Sequence, residues 1–273
     1  MNKYIISCDL DNTLLDKKKN ISRKTIKYFQ KLASNGNYII LNSGRPYQGI
    51  IKYNKLLKIN HPFIFSDGSG IVYLDDEFEI VNKELFTMDK DAIRKLYSDN
   101  LEMFEMINIY EFNDQYFNNK DKVPFWMFHE GESINYHEGD INKILDKDPT
   151  NISLNIYKEY NEEFIHYLNN LDDIEYFDWG EYDNIHSYQL FKKGINKAST
   201  LKYLAKKLGI EEDNIITFGD GLNDYKLVTF FKEGVAMINS NDKLLKDSKH
   251  ITIYDYNHDG VRRYLKRFFR NKL

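Results

Sequence analysis

Two aspartates two residues apart, Asp9 and Asp11, are the first groups along this chain that could do chemistry. They stand in Cys8-Asp9-Leu10-Asp11-Asn12-Thr13-Leu14, directly after the apolar run Tyr4-Ile5-Ile6-Ser7-Cys8. A short apolar run bounded by a polar turn predicts a buried strand. At a strand end, an i, i+2 spacing can point both side chains the same way. Two carboxylates so placed repel strongly. A divalent cation removes that cost, and Mg²⁺ is commonly held by carboxylate and several waters. A solvated turn with an Asp cap is the plainer alternative at this spacing. Position raises the functional reading, because open α/β sheets bind ligands at the carboxyl ends of their strands.

Two further stretches repeat that placement. Ser43-Gly44-Arg45 follows the apolar run Tyr38-Ile39-Ile40-Leu41. There a hydroxyl and the N–H groups at a helix start can hold a phosphoryl oxygen. Arg45 could clamp phosphate or a leaving-group oxygen, or merely pair on the surface. Gly219-Asp220-Gly221-Leu222-Asn223-Asp224 follows Asn214 to Phe218. Glycines let such a loop turn tightly beside a ligand.

The elements that must position these groups alternate in type. Ser22 reads as a helix N-cap, with Ile21 and Ile26 as a hydrophobic staple. The helix ends near Gly36, and Pro46 opens the next one. A strand follows at Phe63-Ile64-Phe65, then a hairpin from Ile71 to Val81 turning at Asp75-Asp76. This β-α-β-α-β order implies a parallel, right-handed sheet. From about Thr87 to His186 the chain becomes acidic and rich in Tyr, Phe and Asn. Helices are expected at Asp89 to Leu101 and Glu162 to Leu171, and a strand at Leu154 to Tyr157. The α/β pattern then resumes with a strand at Tyr188 to Phe191. A helix from Lys197 to Leu208 follows, capped by Asn196 and Gly209, then strands at Asn214 to Phe218, Gly234 to Met237 and Ile251 to Ile253. A basic amphipathic helix from Gly260 to Phe269 reads as core-packed with a solvated face.

Asp-x-Asp-x-Thr closing the first strand resembles the first motif of the haloacid dehalogenase (HAD) superfamily, and the other motifs follow in order. The best match is the Cof-like, type IIB sugar-phosphatase branch. The resemblance implies a Rossmann-like parallel-sheet core of residues 1–86 and 187–273, with an α+β cap inserted at 87–186 that reads the substrate. It implies that Asp9 is the nucleophile and Asp11 the general acid and base, with a pKa raised by its neighbour Asp9. Among Lys192, Lys193 and Lys197, it favours Lys197 as the third-motif lysine, since the family's lysine opens the helix before the Gly-Asp motif. An ammonium there neutralises charge on the nucleophile and the phosphoryl group. The resemblance makes Ser43, Gly44, Arg45 and Asn223 the phosphate-binding residues, and Asp9, Asp11, Asp220 and Asp224 the Mg²⁺ ligands, Asp11 through its backbone carbonyl. Asn223 could instead orient Lys197, and Asp224 could instead support the metal site without touching the ion. Three positions depart from the commonest family pattern: Asn12 for Gly, Ser43 for Thr, and Asp67 for Asn. The last adds negative charge that would disfavour a polyanionic substrate.

Bulk properties set outer limits. A chain of 273 residues with 42% hydrophobic and 29% charged residues has the make-up of a soluble globular protein. No stretch approaches the ~18 apolar residues of a membrane span, and with the first strand starting at once no signal peptide is expected. One cysteine, Cys8, precludes an internal disulfide and fits a reducing cytoplasm. The net charge of −4 is unevenly spread: 87–186 carries 23 acidic and 8 basic residues, or −15, leaving +11 for the rest. A basic frame could attract anionic substrates, but no nucleic-acid motif accompanies it. The histidines at 129, 137, 166 and 186 match no common metal-ligand spacing, and Pro124 to Phe128 reads as cap core. The expected activity is Mg²⁺-dependent hydrolysis of a small phosphate ester, with a sugar phosphate favoured by the acidic cap. Two rivals stand beside it. A phosphomutase needs a more basic cap, and a non-catalytic phosphate-responsive binding module would be expected to have lost a motif residue. Oligomeric state stays open, with a monomer admissible.

Overall fold

The structure is a computed structural model and describes residues 3–127 and 134–270. Phe128 and His129, named above, lie outside the described residues. The chain divides into two compact units, Met1–Glu84 with Asn196–Leu273, and Leu85–Ile195.

The first unit begins with β1 (Ile5–Cys8), α1 (Arg23–Ser34), β2 (Tyr38–Leu41), α2 (Gln48–Leu57), β3 (Phe63–Phe65), β4 (Gly70–Leu74) and β5 (Ile80–Leu85). β1 is buried along its whole length, with Ile5, Ile6 and Cys8 fully inaccessible. Ser22 caps α1 by accepting the Thr25 N–H at 3.1 Å, and the helix packs Phe29 and Leu32 inward. α2 starts two residues after Pro46 rather than at it. β3, β4 and β5 form a three-stranded sheet, with β3 and β4 antiparallel. Among the described residues, β3 meets the main sheet in a single parallel bridge from Asn42 to Ile64, so the expected run of three parallel strands stops at two there.

The inserted unit holds α3 (Lys90–Asp99), β6 (Phe104–Glu111), β7 (Asp114–Phe117), β8 (Asn135–Glu138), α4 (Ile141–Ile144), β9 (Asn151–Tyr157), α5 (Asn161–Asn169), β10 (Ile174–Tyr182) and β11 (Ile185–Lys192). Its six-stranded sheet runs β10-β11-β9-β6-β7-β8. Ile93 and Leu96 of α3 and Phe164 and Leu168 of α5 form one buried cluster with Ile107, Leu154, Ile156 and Leu190 of the strands.

One expectation is corrected here. Tyr188 to Phe191 was assigned to the parallel core, with the insert ending at 186. Instead these residues lie in β11, antiparallel to both β9 and β10, and the inserted unit extends to Ile195. An apolar run of four residues describes a buried strand in either kind of sheet. Its partners decide which, and they lie on both sides of it in the insert.

The first unit resumes with α6 (Lys197–Leu208), β12 (Ile215–Gly219), α7 (Tyr225–Phe230), β13 (Glu233–Ala236), α8 (Asp242–Asp247), β14 (His250–Ile251) and α9 (Gly260–Phe269). Asn196 caps α6 through its side chain, and Gly209 closes it in the left-handed conformation. The main sheet has the order β14-β13-β12-β1-β2, with every pairing parallel. Cys8 lies in register with Phe218 on one side and Leu41 on the other. The residues after β1, β2 and β12 therefore emerge side by side at one edge. α9 buries Val261, Leu265 and Phe269. Among the described residues, no helix is long and apolar enough to cross a membrane.

Candidate active site

Asp9 leaves β1 still tied to the sheet, its N–H donating to the Phe218 carbonyl at 3.0 Å. The next five residues, Leu10–Leu14, form one wide turn closed by the Leu15 N–H on the Leu10 carbonyl. The turn breaks helical geometry at Asn12, whose φ is +55°. Asparagine tolerates that region better than most residues, which accounts for its use where Gly is commonest. The turn separates the two acids: Asp9 is 6% exposed and faces the sheet edge, while Asp11 turns elsewhere.

Lys197 opens α6, and its side chain is wholly buried. Its ammonium donates to Asp9 Oδ1 at 2.8 Å and to Asp224 Oδ1 at 2.7 Å, with Asp67 Oδ1 at 3.7 Å. Burial works against the charged amine, but the carboxylates of Asp224, Asp9 and Asp67 overcome it and hold Lys197 protonated. Lys192 and Lys193 belong to the inserted unit or its edge, so Lys197 is the lysine present at this site.

Asp220 and Asp224 come from the loop after β12. Asp224 is buried and accepts the N–H groups of Asp220 (3.1 Å) and Gly221 (3.0 Å) on Oδ2, leaving Oδ1 for Lys197. Gly219 has no room for a side chain: a Cβ there would lie 2.4 Å from Asp224 Cβ. Thr13 donates its hydroxyl to Asp220 Oδ1 at 2.7 Å, linking the first and last motifs. Burial and the nearby Asp224 charge push the Asp220 carboxyl up to about 6, against the pull of that hydrogen bond. Burial, with Asp224 and Asp220 adding to it, likewise raises Asp9 well above the usual carboxylate range despite Lys197.

Asp11 behaves differently from expectation. Burial would raise its carboxyl, but hydrogen bonds and charge from Arg45 and Lys19 prevail and hold it at about 2. Arg45 grips both oxygens, and Lys19 Nζ lies 2.5 Å from Oδ1. The neighbouring Asp9 charge, expected to raise Asp11, is outweighed by two cations in direct contact. Arg45 is thus engaged with Asp11 and also lies over the Tyr53 ring, 5.6 Å from its centroid.

Ser43 is buried two residues beyond β2, with the Arg45 N–H 3.4 Å from its Oγ. Gly44 follows directly and lies against Asp67. Asn223 donates its amide to Asp67 Oδ1 at 2.9 Å. Asp67, singled out in the sequence only as a departure, therefore touches residues of the second, third and fourth motifs. Thr13 belongs to the first motif, but nothing in the sequence pairs it with Asp220, and Lys19 carries no signal of its own.

Asp9, Asp220 and Asp224 each offer a carboxylate oxygen, and these atoms lie within 4.8 Å of one another. An all-oxygen donor set of this kind suits a hard divalent cation. Burial first, and crowded negative charge with it, raise the Asp9 and Asp220 carboxyls, and a bound cation would relieve the charge on both. The Asp11 carboxylate is not part of the cluster, so a contribution from Asp11 would have to come from its backbone. The histidines do not form a second centre among the described residues: His137 pairs with Asp114 and His186 with Asp178.

The sequence matches the family model of haloacid dehalogenase-like hydrolases over residues 6–265. It is 28% identical over 270 residues to a 5-amino-6-(5-phospho-D-ribitylamino)uracil phosphatase of Bacillus subtilis, covering 97% of each chain. The fold superposes on that of a haloacid dehalogenase-like hydrolase from Bacteroides thetaiotaomicron with a TM-score of 0.76 at 22% identity, covering 98% of this chain and 100% of the other. It also matches a HAD subclass IIB sugar phosphatase with a TM-score of 0.74 at 17% identity, covering 97% and 99%. The chain belongs to the haloacid dehalogenase-like hydrolases, and among them to the phosphatases.

Proposed function

We propose that this phosphatase is Mg²⁺-dependent and hydrolyses a small phosphorylated metabolite, a sugar phosphate or related polyol phosphate, through an aspartyl phosphate on Asp9. The observation that carries the proposal is the buried Lys197 ammonium bridging Asp9 and Asp224 beside Asp220. A carboxylate nucleophile needs no base, but it must be kept ionised and its repulsion from phosphate offset. Lys197 works toward both but does not alone offset burial at Asp9, and Mg²⁺ held by Asp9, Asp220 and Asp224, with the Asp11 carbonyl, would add Lewis-acid charge neutralisation.

In the first step an Asp9 oxygen bonds to phosphorus and the ester P–O bond breaks. The departing alkoxide takes a proton from Asp11. In the second step a water oxygen bonds to phosphorus, Asp11 takes the water's proton, and the bond to Asp9 breaks. Ser43, Gly44, Arg45 and Asn223 hold the phosphoryl oxygens. Asp11 is ionised while Arg45 and Lys19 grip it, so it must be released and protonated before it can serve as the acid. Arrival of a phosphate that draws Arg45 away accomplishes the release.

Support for the substrate class comes from the Bacillus subtilis relative, whose substrate carries phosphate on a polyhydroxylated ribityl chain. We assign leaving-group recognition to the inserted cap, and its −15 charge favours a neutral or amine-bearing leaving group. With only eight Lys and Arg residues, residues 87–186 are poorly suited to a second phosphate, which disfavours a mutase. A buried, unpaired Cys8 accords with a cytoplasmic location.

The test is phosphate release from p-nitrophenyl phosphate and a sugar-phosphate panel, with Mg²⁺ or EDTA, for the native protein and Asp9→Asn. Metal-dependent release abolished by the substitution is expected. Release that survives Asp9→Asn would overturn the nucleophile assignment.

A further inference from the structure

The turn after β3 is the most distorted stretch of backbone near the site. Ser66, Asp67 and Gly68 take left-handed φ values of +46°, +55° and +104° in succession. Non-glycine residues in that region cost of the order of 1 kcal/mol or more each, and they persist where surrounding structure imposes them. Here the imposition is visible. The Ser66 N–H donates to the Arg45 carbonyl at 2.9 Å, and the Asp67 N–H to the Ser43 carbonyl at 3.2 Å. On the other side, Thr200 donates its hydroxyl to the Gly68 carbonyl at 2.7 Å. A Cβ on Gly68 would lie 2.4 Å from the Asn196 carbonyl carbon. The turn is wedged between the Ser43–Arg45 segment and the start of α6.

The wedge places one carboxylate. Asp67 Oδ1 accepts the Asn223 amide at 2.9 Å and lies 3.7 Å from Lys197 Nζ. Its oxygens also press on Gly44, where a Cβ would stand 2.8 and 3.0 Å from them. Gly44 and Asn223 are assigned above to the phosphoryl oxygens and Lys197 to neutralising their charge, and the carboxylate lies among them with 13% of its side chain exposed.

Resting on the phosphatase reading, we infer that Asp67 is a resident anion in the phosphate subsite and a determinant of phosphate affinity. An incoming phosphoryl group must take the Asn223 amide from Asp67 and share Lys197 with it. The same competition helps expel inorganic phosphate after hydrolysis. The strained turn prevents Asp67 from relaxing away on its own.

The experiment is calorimetric titration of inorganic phosphate into the native protein, Asp67→Asn and Asp67→Gly in Mg²⁺, alongside steady-state kinetics on one hydrolysed ester. Both replacements tolerate the left-handed backbone, and Asn keeps an oxygen for the Asn223 amide. Removing a carboxylate at this distance is expected to tighten phosphate binding by at least about tenfold. KM for the ester is expected to fall by a larger factor than any change in kcat. Equal or weaker phosphate binding by both variants would overturn the inference, as would a loss confined to kcat, which marks Asp67 as only a support for Asn223. Tighter phosphate binding with no ester hydrolysed by any of the proteins would uphold the inference about the subsite and overturn the phosphatase reading instead.

Discussion

Arg45 holds the Asp11 carboxylate with two nitrogens, Nε at 2.6 Å from one oxygen and Nη2 at 2.8 Å from the other. A two-point guanidinium–carboxylate contact is among the stronger polar pairings available to a protein. The group proposed to give up a proton is therefore held in its ionised form, at about 2, by the group proposed to bind phosphate, once Arg45 and Lys19 have overcome the effect of burial. On the proposed roles, phosphate and Asp11 would compete for one guanidinium, so substrate arrival would loosen the grip on Asp11 and leave Lys19 as its remaining cation.

Arg45→Gln separates the two roles. Losing the phosphate clamp is expected to raise KM by about tenfold or more. Losing the grip on Asp11 lets its carboxyl rise toward the ordinary range. The alkaline limb of kcat/KM against pH, which reports the free enzyme, on an alkyl phosphate that needs a proton on its leaving group, then moves to higher pH. The profile measured for both proteins checks this, and an unmoved limb would show that Arg45 does not restrain Asp11.

Lys197→Gln leaves Asp9 and Asp224 facing each other without their cation. Removing one partner of a buried ion pair typically costs about 3–5 kcal/mol. That loss is expected in urea unfolding at pH 8 in EDTA. It should shrink at pH 5, where the stranded carboxylates can take up protons, and shrink at pH 8 when Mg²⁺ is added. A penalty indifferent to both would mean that packing, not charge, governs the position.

How much of this was legible in the sequence follows from how local each signal is. β1, β2 and β12 are short apolar runs ending in polar turns, and Asp9, Ser43 and Asp220 follow from counting to the strand ends. α6 carried its caps in Asn196 and Gly209, so Lys197 was placed at a helix start from sequence alone. β11 was misassigned because an apolar run does not encode whether its neighbours are parallel. β10 was missed because Glu175, Asp178 and Glu181 interrupt its pattern. The Asp11–Arg45 pair spans 34 residues and the Asn223–Asp67 bond 156, and no periodicity reports contacts of that range. Nothing in the run Lys17-Lys18-Lys19 says which ammonium turns inward to Asp11.

In the metal-free protein, the contribution of Asp220 to stability is expected to grow as pH falls from about 7 toward 4. Asp220 is raised to about 6 by burial and by Asp224, above the ~3.9 of an unfolded aspartate. The folded state thus binds the proton more tightly, and this contribution fades as pH rises through 6. Discounted for partial exposure, the effect is on the order of 2 kcal/mol. Mg²⁺ should remove it by holding the carboxylate ionised. Thermal unfolding with Mg²⁺ or EDTA at pH 5 and 7.5 checks this: the stabilisation by Mg²⁺ should be larger at pH 7.5. Equal stabilisation at both would contradict a cation site built on Asp220.

His61 makes the opposite contribution in the same range. β2 is the edge strand of the main sheet, and the outward N–H of Ile39 donates to His61 Nδ1 at 2.9 Å. Burial holds the imidazole down at about 4, and an Nδ1 that accepts a hydrogen bond has no lone pair left for a proton. The unfolded imidazole takes its proton near 6.5. Stability from His61 is therefore complete above about 6.5, falls as pH drops toward 4, and levels off below, a loss of up to about 3 kcal/mol. His61→Phe lacks the titration but strands the Ile39 N–H, an expected deficit of about 1–3 kcal/mol at pH 7.5. Comparing the two proteins cancels the Asp220 contribution, since both carry it. The gap measured by urea unfolding should be largest at pH 7.5 and narrow at pH 4.5. A gap of constant width would show that His61 stays paired with Ile39 whatever its charge.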